Sequence, residues 1–226
     1  CNKSMNKNIK IWLMRQAGRY LPEYQEIRKK EKNFMKLCFN PELACNISLQ
    51  PIQRFNFDFI ILFSDILVIP HALGQDVQFK ERIGPVLGEL EYNKIKVDLT
   101  QNMERLAAVF ETIKLIKKQV KDKDLIGFCG GPFTVLNYMI EQGTSKTHDK
   151  IMNHIKKQAD KSLQLIKIIT EVSIEYLKKQ IDSGVDFVKV FDSWAGLLDG
   201  EDYKKFVTEP NKKIAQEIKK YSPETK

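Results

Sequence analysis

Three short apolar runs constrain this chain more than any other feature. Phe57-Asp58-Phe59-Ile60-Ile61-Leu62-Phe63, Leu125-Ile126-Gly127-Phe128-Cys129 and Val185 to Phe191 are nearly continuous, and each stops at polar or glycine residues. Continuous runs of this length read as strands buried on both faces, as in a parallel sheet. Helical patterns separate them. Pro22 to Glu31 begins with a proline suited to a first turn, and residues 41–54 repeat the device with Asn40 as N-cap and Pro41 at N1. Further helices are predicted over 98–120 (capped by Asp98 or Thr100), from Pro132 to about Glu141, over 148–182 as far as Asp182-Ser183-Gly184, and from Gly200 to Tyr221. Buried strands joined by long helices imply right-handed βαβ units in an α/β fold.

Ser64-Asp65, Gly130-Gly131 and Asp192-Ser193 fall at the strand C-termini. In α/β barrels and open sheets alike, that edge binds ligands. The first strand-to-helix loop carries no glycine-rich phosphate fingerprint, which favours a (β/α)8 TIM barrel. No linker, repeat or low-complexity segment divides residues 1–226, so a single domain is expected.

Composition narrows the function classes. With 42% hydrophobic residues the chain has ample material for a core, and Ser64-Asp65 interrupts its longest apolar stretch, so no membrane span is expected. Residues 1–10 show no apolar leader. The expected location is the cytoplasm, or an organelle if a targeting segment upstream of Cys1 has been removed. The net charge is +8, which fits a solvated lysine coat or an anionic partner. Only six basic residues are arginine, and Arg15, Arg19 and Arg28 cluster near the N-terminus. Cys1, Cys38, Cys45 and Cys129 lack CxxC spacing, and His71, His148 and His154 lack a zinc pattern, so reduced thiols and no metal are expected.

The densest motif is Trp12-Leu13-Met14-Arg15-Gln16-Ala17-Gly18-Arg19-Tyr20-Leu21-Pro22. If Arg15 and Arg19 lie on one helical turn, their repulsion is easiest to explain by an anion held between them, because guanidinium grips carboxylates bidentately. Gly18 would let a ligand approach the backbone or mark a plain turn. The competing interpretation is a basic helix end paired with surface glutamates. Asp65, at a strand exit, either caps the next turn or stabilises positive charge on a substrate. The Gly130-Gly131-Pro132 turn offers helix N-terminal amides to an anion. Tyr138 follows on that helix and could equally be core. Ser193 offers a hydroxyl at a third strand end, without the partners of a serine nucleophile.

Four stretches together resemble the uroporphyrinogen decarboxylase family, in the family's order. They are Trp12 to Tyr24, Phe63-Ser64-Asp65-Ile66-Leu67, Gly127-Phe128-Cys129-Gly130-Gly131-Pro132-Phe133-Thr134 with Tyr138-Met139, and Phe191-Asp192-Ser193-Trp194-Ala195-Gly196. The resemblance implies a (β/α)8 barrel, usually a homodimer, that removes four acetate carboxyl groups from uroporphyrinogen without metal or organic cofactor. It implies that Asp65 receives the pyrrole N–H groups, and that Arg15 and Arg19, with Arg28 further along, clamp the acid arms. Arg15 is also implied as a general acid, although guanidinium is a poor one. Gln16, Ala17 and Gly18 would line the same substrate site, and Tyr138 and Ser193 would hydrogen-bond carboxylates or position the ring.

A complete barrel of this kind takes about 250 residues. The family's C-terminal third, with an active-site histidine in a late loop, finds no counterpart here. The expectation is therefore a barrel incomplete before its last strands, inactive or very weak by itself. Two rival interpretations remain: a zinc- and corrinoid-linked methyltransferase of related fold, and a lysine-rich module that binds polyanions or RNA. The first needs a cysteine-based zinc site that the spacing does not supply. The second predicts salt-sensitive binding that does not need Asp65.

Overall fold

A computed structural model describes residues 10–226. The elements run α1 (Pro22–Lys30), α2 (Phe34–Cys38), α3 (Pro41–Phe55), β1 (Phe59–Ile61), α4 (Val68–Ala72), β2 (Val77–Lys80), β3 (Gly84–Leu87), α5 (Leu99–Arg105) and α6 (Ala107–Gln119). They continue with β4 (Asp124–Gly130), α7 (Pro132–Glu141), α8 (Asp149–Lys157), α9 (Ala159–Ser183), β5 (Phe187–Phe191), α10 (Gly200–Tyr203) and α11 (Glu209–Tyr221). The three apolar runs form one parallel sheet in the order β1-β4-β5. This is an α/β fold with βαβ connections.

Alternation along the strands separates two faces. Ile60, Leu62, Leu125 and Cys129 are buried among the helices. The opposite face is aromatic: Phe59 meets Phe187 edge-on at 5.3 Å between ring centroids, and Phe128 meets Phe191 at 5.2 Å. β5 departs from the expectation of a strand buried on both sides. Its residues are half-buried and Lys189 is exposed, whereas β4 is buried nearly throughout. The outer edges of the sheet are engaged by other segments. Gln16 donates to Phe59 O at 3.0 Å beside β1, and Val188 N–H donates to Lys226 O at 2.9 Å beside β5.

The helix starts follow their caps. Asn40 accepts from Leu43 N–H and Asp98 from Gln101 N–H, each at 3.0 Å. Two predicted helices are divided. The 98–120 helix breaks at Leu106 into α5 and α6, and the 148–182 helix breaks at Gln158 into α8 and α9. Neither break has a proline or glycine. Leu106 is fully buried, so packing sets the bend. The last helix, expected from Gly200, carries a π-helical turn over Lys204–Thr208 before α11. The hairpin β2–β3 adds to the elements the sequence predicts; Gly84 at φ 96° and Arg82 at φ 63° make its turn.

Candidate active site

The site begins where β1 and β4 part. Their pairing ends at Ile61 with Ile126, extended by Leu62 N–H to Ile126 O at 3.0 Å. The next residue turns away, because Phe63 N–H donates to Ser48 Oγ on α3 at 2.8 Å. The backbone groups of Phe128 are taken by a side chain instead. Gln180 of α9, fully buried, accepts from Phe128 N–H at 2.9 Å and donates to Phe128 O at 3.0 Å. A Cβ on Gly127 would strike that amide, which explains the glycine inside a buried strand.

Beyond this divergence lies a cleft of about 250 Å³. Its polar lining is Arg15, Ser64, Asp65, Tyr138 and Ser193. Its apolar lining comprises Met14, Ile66, Leu67, Phe79, Pro85, Phe128 and Phe191. Asp65 is the only carboxylate in that lining, is half-buried, and accepts Leu67 N–H at 2.8 Å. Burial pushes its pKa up to about 6, against the pull of the Leu67 N–H and the Arg15 guanidinium. It therefore remains mostly ionised at neutral pH, but with little solvation to lose when a cation arrives. Behind it, burial also raises the Cys38 and Tyr176 pKa values and carries that of Cys129 to about 12, so these groups stay uncharged.

Arg15 reaches the cleft from a loop, not a helix. Residues 11–20 are irregular, so Arg15 and Arg19 do not share a helical turn and the repulsion argument does not apply. The anchor is Gln16, 2% exposed, whose amide donates to Phe59 O and accepts Leu13 N–H at 3.1 Å. Ala17 packs on the small cluster of Leu21, Tyr24, Leu37 and Ile47. Gly18 opens a turn closed by Leu21 N–H, and nothing crowds it closer than Tyr20 at 3.8 Å. Arg19 is exposed and does not line the cleft. Arg28 lies 5.9 Å from the Phe34 ring centroid, and Phe34 in turn touches Phe79 of the cleft wall at 4.5 Å between centroids.

Tyr138 and Ser193 line the cleft together with Asp65. The expected anion-receiving turn before α7 is already filled by the protein's own Asp192. That carboxylate accepts the Thr134 hydroxyl at 2.6 Å and Asn211 Nδ2 at 2.7 Å, and a Cβ on Gly131 would collide with it. Gly131 N–H donates to Phe191 O at 2.8 Å, and a Cβ on Gly130 would lie 2.6 Å from Val135 Cγ2. The glycine pair thus serves close packing, not a phosphate.

The histidines lie elsewhere. His148 bonds Asn137 at 3.0 Å, His154 bonds Ser162 at 2.6 Å, and His71 packs tilted against the Phe39 ring. Cys38, Cys45 and Cys129 are free and buried, while Cys1 lies outside the described residues. Among the described residues no group of three or more His, Cys, Asp or Glu side chains is placed to hold a metal, and no helix is long and apolar enough to cross a membrane. A second cavity of about 330 Å³, between α3 and α6, gathers amides and Cys45 but none of the strand-end residues.

The uroporphyrinogen decarboxylase (URO-D) family model matches residues 1–226. The chain belongs to the uroporphyrinogen decarboxylase family. Uroporphyrinogen decarboxylase of Rickettsia bellii is 46% identical over 224 residues, covering 98% of this chain and 66% of the relative. That of Brucella anthropi is 44% identical over 218 residues, covering 96% of this chain and 64% of the relative. The chain thus spans slightly under two thirds of the length of these relatives. Among solved structures, a methyltransferase from Methanosarcina mazei superposes with a TM-score of 0.69 at 22% identity, covering 85% of this chain and 58% of that one. At that identity the likeness concerns the fold alone.

For a member of the uroporphyrinogen decarboxylase family, the apolar cleft lining is as informative as the polar groups. Sequence reasoning assigns no site role to Met14, Ser64, Ile66, Leu67, Phe79, Pro85, Phe128 or Phe191. Met14, Ser64, Ile66, Leu67, Phe128 and Phe191 all fall within the four stretches that resemble the family, and for Phe79 the signal is local: Val77-Gln78-Phe79-Lys80 alternates in the manner of a half-buried strand, and Gly84 follows.

Proposed function

We propose that the chain carries the cleft of a uroporphyrinogen decarboxylase, which removes the four acetate carboxyl groups of uroporphyrinogen III to give coproporphyrinogen III without metal or organic cofactor. The observation that carries this reading is a lone half-buried carboxylate, Asp65, in an otherwise largely apolar and aromatic cleft with Arg15 beside it. Family membership and the relatives' names support it.

The chemistry uses each part. Protonation of a pyrrole ring next to an acetate arm makes a ring cation. The bond from the arm's methylene to its carboxyl carbon then breaks, CO2 leaves, and its electron pair neutralises the ring. A proton delivered to the methylene carbon completes the methyl group, and the ring gives up the proton it first accepted, which restores the neutral pyrrole. Asp65 accepts the pyrrole N–H groups and stabilises the cation, an interaction strengthened by the apolar walls. Arg15 holds a neighbouring carboxylate, Tyr138 and Ser193 hydrogen-bond others, and Arg19 and Arg28 meet the outer arms. Gln16, Ala17 and Gly18 contribute by fixing the Arg15 loop. As a general acid Arg15 is poorly suited, because guanidinium holds its proton too tightly.

The same reading takes the parallel sheet as part of a (β/α)8 barrel, in a cytoplasmic homodimer. The test is conversion of uroporphyrinogen to coproporphyrinogen, followed by porphyrin fluorescence after oxidation. The protein expressed from its complete reading frame is expected to be active, and the 226-residue chain alone inactive or very weak. Absence of turnover by the complete product overturns the proposal.

A further inference from the structure

Ser193 is exposed, yet its backbone is held from both sides by one hydroxyl. Asp192, the residue before it, accepts the Thr134 hydroxyl at 2.6 Å, and Trp194, the residue after it, donates its N–H to the same Thr134 oxygen at 3.0 Å. Asp192 is fixed a second time by Asn211 of α11 at 2.7 Å, and sits over the start of α7, where a helix end favours negative charge. Thr134 lies in the first turn of α7. Tyr138 stands one turn further on the same face, with its ring 6.4 Å edge-on from that of Trp194. Two of the three polar cleft residues beyond the Asp65 and Arg15 pair, Ser193 and Tyr138, are therefore referenced to one side-chain oxygen.

We propose that Thr134 and Asp192 are positioning residues, which set Ser193 and Tyr138 relative to each other so that the two contact the ligand's carboxylates together. This rests on the porphyrinogen reading of the cleft. A hydroxyl suits the task because it donates to the carboxylate and accepts the amide at once; valine, of the same shape, does neither.

The experiment measures coproporphyrin binding by fluorescence titration in the protein from the complete reading frame. Thr134→Val is expected to weaken binding about tenfold, the factor that about 1.4 kcal/mol of lost orientation produces, and Thr134→Ser to restore it. In a Tyr138→Phe, Ser193→Ala background the same Thr134→Val change should cost less than about twofold, because the residues it positions are gone. Asp192→Asn, which keeps the volume, should show the same pattern and stands in if Thr134→Val does not fold. An equal loss in both backgrounds, or no loss in either, overturns the positioning role. If the unmodified protein binds no porphyrin, the cleft reading itself fails and takes this inference with it.

Discussion

Asp65 and Asp192 both end parallel strands, and their surroundings are opposite. Asp65 receives a backbone N–H from Leu67, lines an open cleft, and is pushed by burial to about 6. Asp192 receives a hydroxyl from α7 and an amide from α11, and lies over the glycine turn that starts α7. In the sequence they look alike: Phe63-Ser64-Asp65 and Phe191-Asp192-Ser193 each set an aspartate beside a serine after an apolar run. Donor supply separates them. A carboxylate short of donors costs the fold stability and is free to meet a cation, whereas one with several donors strengthens the fold and is no longer available.

The contrast can be broken most forcefully at Asp65. Asp65→Asn is expected to lower uroporphyrinogen turnover about 10²–10³-fold, the usual cost of deleting a charge-stabilising group. It should nonetheless raise stability at pH 7.5 by about 1–3 kcal/mol, because an under-solvated charge is gone while the carbonyl still accepts Leu67 N–H. Urea titration checks the second half, and a destabilised variant would contradict it. At Asp192 the sign reverses: Asp192→Ala should cost about 2–3 kcal/mol of stability by leaving Thr134 and Asn211 without their acceptor. Melting of that variant against Asp65→Ala compares the two directly.

The pH dependence sharpens the same difference. The folded Asp65 pKa of about 6 lies above the ordinary 3.8, so its contribution is fully present below about pH 3.8 and is lost as pH rises through 6. Relative to Asp65→Asn, the unmodified protein should lose up to ~3 kcal/mol between pH 4 and 7, and a flat difference would rule out this titration. The smallest effect belongs to the cleft's cation. Arg15→Lys keeps charge but not the planar fork, and should weaken coproporphyrin binding about threefold to tenfold with little change in melting temperature, since the side chain is exposed.

Much of this architecture is legible in the sequence where local signals agree with packing. The apolar runs at 59–61, 125–129 and 187–191, the Asn40 cap with Pro41, and Gly184 ending α9 all carry their own chemistry. The breaks at Leu106 and Gln158 do not, because neither has a proline or glycine; the first falls on a fully buried leucine, whose packing bends a chain that would otherwise continue the helix. The site divides in the same way. Asp65 and Ser193 stand out as polar residues at strand exits, and the structure gathers them with Arg15 and with Tyr138 of α7. Arg19 falls outside the cleft because residues 11–20 are fastened by Gln16 rather than wound into a helix. Phe79, Phe128 and Phe191 look like ordinary core residues, since one letter cannot tell a ring facing a cavity from one facing a helix.

The side chain of Gln180 gives the cleft its permanence. With its carboxamide mimicking a missing neighbour for Phe128, the sheet tolerates a gap without leaving thirsty peptide groups at the rim. The aperture is consequently installed when the protein folds, and an arriving molecule need not prise two strands apart to enter.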